Sequence, residues 1–117
     1  MLTLNELRHA QCQRQTGAAM QQEQIQQQLS AVPTWGLNHE AIERSFKFTD
    51  FFETILFINA LASIANRQDH HPELSASYNA CTVRFATHSV SGISINDFIC
   101  AAQLDAIYGS LFSSRKP

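Results

Sequence analysis

The sequence predicts an α+β domain in which a four-stranded antiparallel sheet carries helices on one face, in the order α-β-β-α-β-β-α. Two pairs of short alternating segments, each pair separated by a turn-sized gap, predict the sheet, since hairpin-joined strands pair antiparallel. Three segments of helical apolar periodicity predict the helices, and their stripes need one shared surface to cover. Length and composition agree: 117 residues, 44% hydrophobic and 15% charged, suit one domain with one core. The expected division is a polar, loosely held lead-in over 1–19, partly disordered, and a single domain over 20–117.

The lead-in is assigned no helix and carries the breaker pair Thr16-Gly17. From Gln21 to Leu29 the chain is rich in glutamine, a good helix former, and Met20, Ile25 and Leu29 make a narrow apolar stripe. This helix should end near Ser30, ahead of Pro33. Thr34–Leu37 and Ala41–Phe48 read as strands around Asn38-His39-Glu40. Thr49 or Asp50 can then cap a helix, with Glu53 placed to reach back to the Asp50 amide. Phe52, Ile55, Leu56, Asn59, Ala62 and Ala65 follow at helical spacing, widened by Phe51, Ile58 and Leu61, and predict a buried helix to about Arg67. Asp69-His70-His71-Pro72 ends it, because proline disfavours helical geometry in the residue before it. Ser75–Tyr78 and Thr82–Thr87 predict a second hairpin turning at Asn79-Ala80, closed by Ser91-Gly92. Ser94-Ile95-Asn96-Asp97 resembles a capping box, opening a helix with Phe98, Ala101, Leu104, Ile107 and Leu111 on one face.

A formal charge of −2 without any Lys/Arg cluster argues against a nucleic-acid or acidic-lipid partner. The most apolar run, Thr54–Ala65, is interrupted by Asn59 and falls well short of the roughly 20 residues of a membrane span, so no membrane is expected. The N-terminus lacks the basic flank and apolar run of a secretory signal, which makes a cytoplasmic location the default. Cys12, Cys81 and Cys100 are odd in number, widely spaced and read as free thiols. A domain this small exposes much of its surface, so a wide pocket should lie at an edge or a subunit interface.

Three of the five histidines, His70, His71 and His88, fall in a loop and at a strand end. Imidazole both gives and takes protons near neutrality, so clustered histidines suit a reaction that needs an acid and a base together. Asp69 and Asp97 could orient or charge them. A metal site from His70, His71, His88 and Asp69 is a chemically possible alternative. Taken singly, each histidine reads as an ordinary polar surface residue, Asp97 as a helix cap, Tyr78 as a hairpin packing residue, and Phe51, Phe52 and Phe57 as core or subunit-interface residues. His9-x-x-Cys12 is too slight to assign.

The ordered set Asp69-His70-His71-Pro72, Tyr78, His88 and Asp97 resembles the signature of the pterin-4a-carbinolamine dehydratases in residue type and spacing. Val32-Pro33-Thr34-Trp35 resembles the family's first strand, Phe46–Phe51 its second strand and helix start, and Asn96-Asp97-Phe98-Ile99 its last helix. The resemblance implies four antiparallel strands backed by helices, a homodimer or homotetramer, and no metal or cofactor. It also implies the reaction: a 4a-hydroxytetrahydropterin from a pterin-dependent aromatic amino acid hydroxylase loses water to give the quinonoid dihydropterin, within tetrahydrobiopterin recycling. By the same match His70 and His88 carry the proton transfers, His71 binds or orients the pterin, and Asp69, Thr87, Ser89 and Asp97 are expected to bind substrate or hold the loop. Two positions depart from the common family pattern: Asn66 stands where many members have an acidic residue, and Leu74 where many have tryptophan. Some relatives resemble dimerisation cofactors of transcription factors, so a non-catalytic interaction module on the same fold is the competing expectation.

Overall fold

The computed structural model describes residues 1–112. Its elements are α1 (Leu4–His9), α2 (Gln22–Leu29), β1 (Gly36–Asn38), β2 (Ala41–Lys47), α3 (Phe51–Gln68), β3 (Glu73–Ser77), β4 (Ala80–Phe85), a single 3-10 turn (His88–Val90) and α4 (Ile95–Phe112). The strands form one antiparallel sheet in the order β1-β2-β4-β3, so the two hairpins meet along β2 and β4. Register assigns the faces. Ile42 pairs with Phe85 and Phe46 with Cys81, all buried, while Glu43, Arg84 and Glu73 align across the opposite face. That opposite face is polar, with the Ser45 and Thr82 hydroxyls 2.7 Å apart and Arg84 between two glutamates. The helices therefore belong to the apolar face, where Trp35, Phe46, Phe57, Phe85 and Phe98 build the core.

The predicted α+β order is present, with a short N-terminal helix added. Thr3 Oγ1 accepts from the Glu6 N–H and Glu6 Oε1 accepts from the Thr3 N–H, a reciprocal cap that makes six residues helical. The fully buried Leu7 anchors α1 to α4. The lead-in is thus packed on the domain rather than lying loose against it.

Four local readings shift. Asp50 caps α3 as expected, but Glu53 Oε1 accepts from the Thr49 N–H, one residue earlier than anticipated. The second hairpin turns at Tyr78-Asn79, because Ser77 pairs with Ala80, and Tyr78 is exposed in the turn instead of packing along a strand. The apolar stripe of α3 is rotated: Thr54, Phe57, Leu61, Ile64 and Ala65 are buried, whereas Phe52, Ile55, Leu56, Asn59 and Ala62 lie on the exposed side. The helix carries apolar residues on both sides, so periodicity alone could not say which side meets the sheet. On α4, Phe98, Ala101 and Leu104 are buried and Ile107 partly so, but Leu111 is half exposed. Ile99, Cys100 and Ala102 are also buried, because this helix is covered on more than one side.

Candidate active site

The site lies where α3, the turn after β4 and the start of α4 converge. Helix α3 ends at Asp69, whose left-handed backbone (φ 50°) lets its N–H and that of His70 reach back to the last carbonyls. Aspartate tolerates this conformation better than most residues. Pro72 follows at once and prevents helix from resuming. The result sets His70 on the core side of the loop, its ring nearly parallel to Phe85, and leaves His71 exposed.

Asp97 is entirely buried, yet both of its oxygens are satisfied. Oδ1 lies 2.5 Å from His70 Nε2. Oδ2 accepts from Thr87 Oγ1 and from the Ser94 N–H, each at 2.9 Å. Because Thr87 spends its one proton on Asp97, the 2.7 Å contact between the Thr87 and Ser94 hydroxyls must use the Ser94 proton. Asp97 therefore completes the cap of α4 and holds His70 Nε2 at the same time.

Burial pushes the His70 pKa down, but the hydrogen bond and the charge of Asp97, with Cys12 and Asp69 adding, more than offset it, and the net shift is upward. His70 thus holds a proton to higher pH than an ordinary histidine.

His88 opens the 3-10 turn, and Ser91 closes it with a left-handed backbone of φ 54°. A bridge from Thr87 to Gly92 pins its ends, with the Thr87 N–H donating to Gly92 O at 2.7 Å. Glycine at 92 lets the turn pack closely, since a Cβ there would stand 2.8 Å from the Ala19 methyl and force a shift. The structure brings all three histidines to one cleft of about 640 Å³, together with Asp69, Thr87 and Ser89. An adjoining cleft of about 310 Å³ shares His71 and His88 and extends toward His39 and Arg84. Asp97 lines neither cleft and reaches the site through His70. Tyr78 is likewise absent from both linings. Among the described residues no cluster of three or more His, Cys, Asp or Glu is arranged to hold a metal ion.

One wall of the cleft was not foreseen. Cys12, Gln13, Arg14 and Gln15, from the lead-in, line it together with the histidine loop. Buried amides hold this strap: Gln68 Oε1 accepts from the Cys12 N–H at 2.7 Å, and Asn96 brackets the Gln13 backbone, accepting at 3.1 Å and donating at 2.7 Å. Ser89 Oγ donates to Gln15 O at 2.8 Å, so Ser89 serves the strap as well as bordering the cleft. These clamps come from the residues beside His70, His88 and Asp97. The only legible sequence signal was the Thr3-x-x-Glu6 cap, which implies that the lead-in is structured but does not say where it runs.

A family model described as pterin 4 alpha carbinolamine dehydratase matches residues 18–107. The chain belongs to this family. Similar proteins provisionally named pterin-4-alpha-carbinolamine dehydratase include one of Bdellovibrio bacteriovorus, 48% identical over 81% of this chain and 82% of the relative. Another, of Nitrosospira multiformis, is 38% identical over 91% and 96%. Among solved structures, a transcriptional coactivator/pterin dehydratase from Brucella melitensis superposes with a TM-score of 0.73 at 36% identity, covering 76% of this chain and 97% of that one. A pterin dehydratase-like protein described as a RuBisCO assembly factor of the alpha-carboxysome reaches 0.54 at 18% identity over 64% and 87%, a likeness of fold alone. The matched segment contains His70, His71, His88 and Asp97 but begins after the strap, so the Cys12–Gln15 wall lies outside the part that defines the family. No helix is long and apolar enough to cross a membrane among the described residues.

Proposed function

We propose that the chain dehydrates a 4a-hydroxytetrahydropterin to the quinonoid dihydropterin by histidine acid/base chemistry. The observation that carries this reading is the His70–Asp97 pair, a buried carboxylate with both oxygens satisfied, aiming an imidazole into a cleft that His71 and His88 also line. A cleft of about 640 Å³ falls within the range of small-molecule sites.

The reaction breaks the C4a–O bond and the N5–H bond and forms the C4a=N5 double bond. A proton must reach the departing hydroxyl so that it leaves as water, and another must be taken from N5. His70 suits the first task, since its Nε2 is committed to Asp97 and its raised pKa keeps a proton available for delivery from Nδ1. His88, exposed at the cleft, suits the second, and His71 is placed to orient the ring. Thr87 positions Asp97 while bordering the cleft, and Asp69 sets the turn that presents His70. No metal or cofactor is needed for these steps. The substrate would come from a pterin-dependent aromatic amino acid hydroxylase.

The decisive experiment follows dehydration of freshly generated 4a-hydroxytetrahydropterin by stopped flow, with and without the folded protein. Acceleration above the spontaneous reaction, abolished in His88→Ala at unchanged circular dichroism, supports the reading. No acceleration by folded wild type removes it.

A second reading, an interaction module on the same fold, is favoured by the outward side of α3. Phe51, Phe52, Ile55 and Leu56 are exposed there and make an apolar face on a long helix. The same face would serve a homodimer or homotetramer, which the enzyme reading also expects. A monomeric, turnover-negative protein that co-purifies with a stoichiometric partner would favour the module.

A further inference from the structure

The strap brings one thiol of the lead-in against one of the last helix. Cys12 Sγ lies 3.8 Å from Cys100 Sγ and 3.7 Å from Asn96 O, so the two sulfurs are in contact although the residues are 88 positions apart. Their settings differ. Cys12 is half-buried and lines the cleft, whereas Cys100 is wholly enclosed in α4. Cys81 is buried in β4 under the sheet, and all three cysteines are free.

We propose that Cys12 and Cys100 are an oxidisable pair that closes to an intramolecular disulfide, a modification site fastening the strap to α4. A disulfide needs its sulfurs about 2.05 Å apart, so closure must bring them well under their present separation. The strap can supply that movement: residues 12–15 belong to no helix or strand and are held mainly by side-chain hydrogen bonds from Gln68, Ser89 and Asn96. The buried helix α4 can stay where it is.

Hydrogen peroxide is the oxidant by class. The Cys12 sulfur attacks one peroxide oxygen, the O–O bond breaks, the departing hydroxide takes up a proton as water, and Cys12 becomes a sulfenic acid. The Cys100 sulfur then attacks the Cys12 sulfur, its proton goes to the departing hydroxyl, the S–O bond breaks and a second water leaves. Two electrons pass from the two thiols to one peroxide. The division of roles follows exposure, since only Cys12 faces the cleft. The electrostatics agree: the hydrogen bond from Cys100 holds the Cys12 thiol below the usual range against the opposing effect of burial, with His70 helping, while the same bond and burial raise that of Cys100.

The test treats folded wild-type protein with hydrogen peroxide and maps it by intact and peptide mass spectrometry. The expected product has lost two hydrogen atoms, contains a Cys12–Cys100 cross-linked peptide, returns to the thiol form with dithiothreitol, and leaves Cys81 free to alkylate. Cys100→Ser should instead give a dimedone-trappable sulfenic acid on Cys12. Three wild-type results would overturn the proposal: Cys12 left unmodified, Cys12 carried on to sulfinic acid without a cross-link, or a cross-link to Cys81 or between chains. None of these readouts depends on pterin turnover.

Discussion

At the scale of single residues, the arrangement around Asp97 makes the sharpest predictions. In Asp97→Asn the carboxamide oxygen can still accept from Thr87 and Ser94, which leaves the NH2 group facing His70 Nε2. That nitrogen must then accept, so the ring is held neutral and loses its negative neighbour. The His70 pKa, raised in the wild type, is expected to fall in the variant, as read by imidazole NMR titration. Because the folded-state pKa is raised, the stabilisation from protonated His70 is complete below the ordinary histidine value near 6.5 and is lost as pH rises through the higher folded value. Melting curves across that window should show the loss in wild type and not in Asp97→Asn. On the enzyme reading, kcat falls along the same limb as His70 loses its proton, and Asp97→Asn moves the limb to lower pH. His70→Ala should lose on the order of 10²- to 10⁴-fold of the accelerated rate, measured by stopped flow at matched circular dichroism.

At the scale of elements, the instructive case is α3. Its local signals were legible: the Asp50 cap, the apolar content and the stop at Asp69-His70-His71-Pro72 all read correctly from sequence. Its orientation was not, because Phe52, Ile55 and Leu56 compete with Phe57, Leu61 and Ile64 as an equally apolar stripe. Contact with Phe46 and Phe48, which come from the preceding strand and its end, selects the Phe57 side. Phe57→Ala should therefore cost about 3–5 kcal/mol in denaturant unfolding, as expected for a buried aromatic. Phe52→Ser, on the exposed side, should leave monomer stability nearly unchanged. The joint between the lead-in and the last hairpin is a second test. Gly92→Ala forces a methyl against Ala19, and overpacking of this kind costs about 1–3 kcal/mol, readable as a lowered urea midpoint.

At the scale of the whole molecule, the exposed apolar side of α3 bears on assembly. If this face joins copies of the chain, Phe52→Ser with Leu56→Ser should shift sedimentation toward monomer while circular dichroism is unchanged. Sedimentation identical to wild type would place the interface elsewhere. The grouping of the candidate residues was legible in part, since His70, His71 and His88 share one cleft with Asp69, Thr87 and Ser89, whereas Asp97 lies behind His70 and outside the lining. What sequence reading missed was long-range: the strap from Cys12 to Gln15, clamped by side chains 56 to 83 positions away.

The sequence by itself determined the order of the strands and main helices and the place of the histidine loop between them, because caps, turns and periodicity act over a few residues and leave a local record. It also carried the ordered motif that marks the family. Tertiary structure alone decided which side of α3 is core, that buried Asp97 serves His70 and the α4 cap together, and that the N-terminal strap forms a wall of the cleft. These depend on which surfaces exclude water together and which distant amides pair, and no short stretch of the chain encodes that.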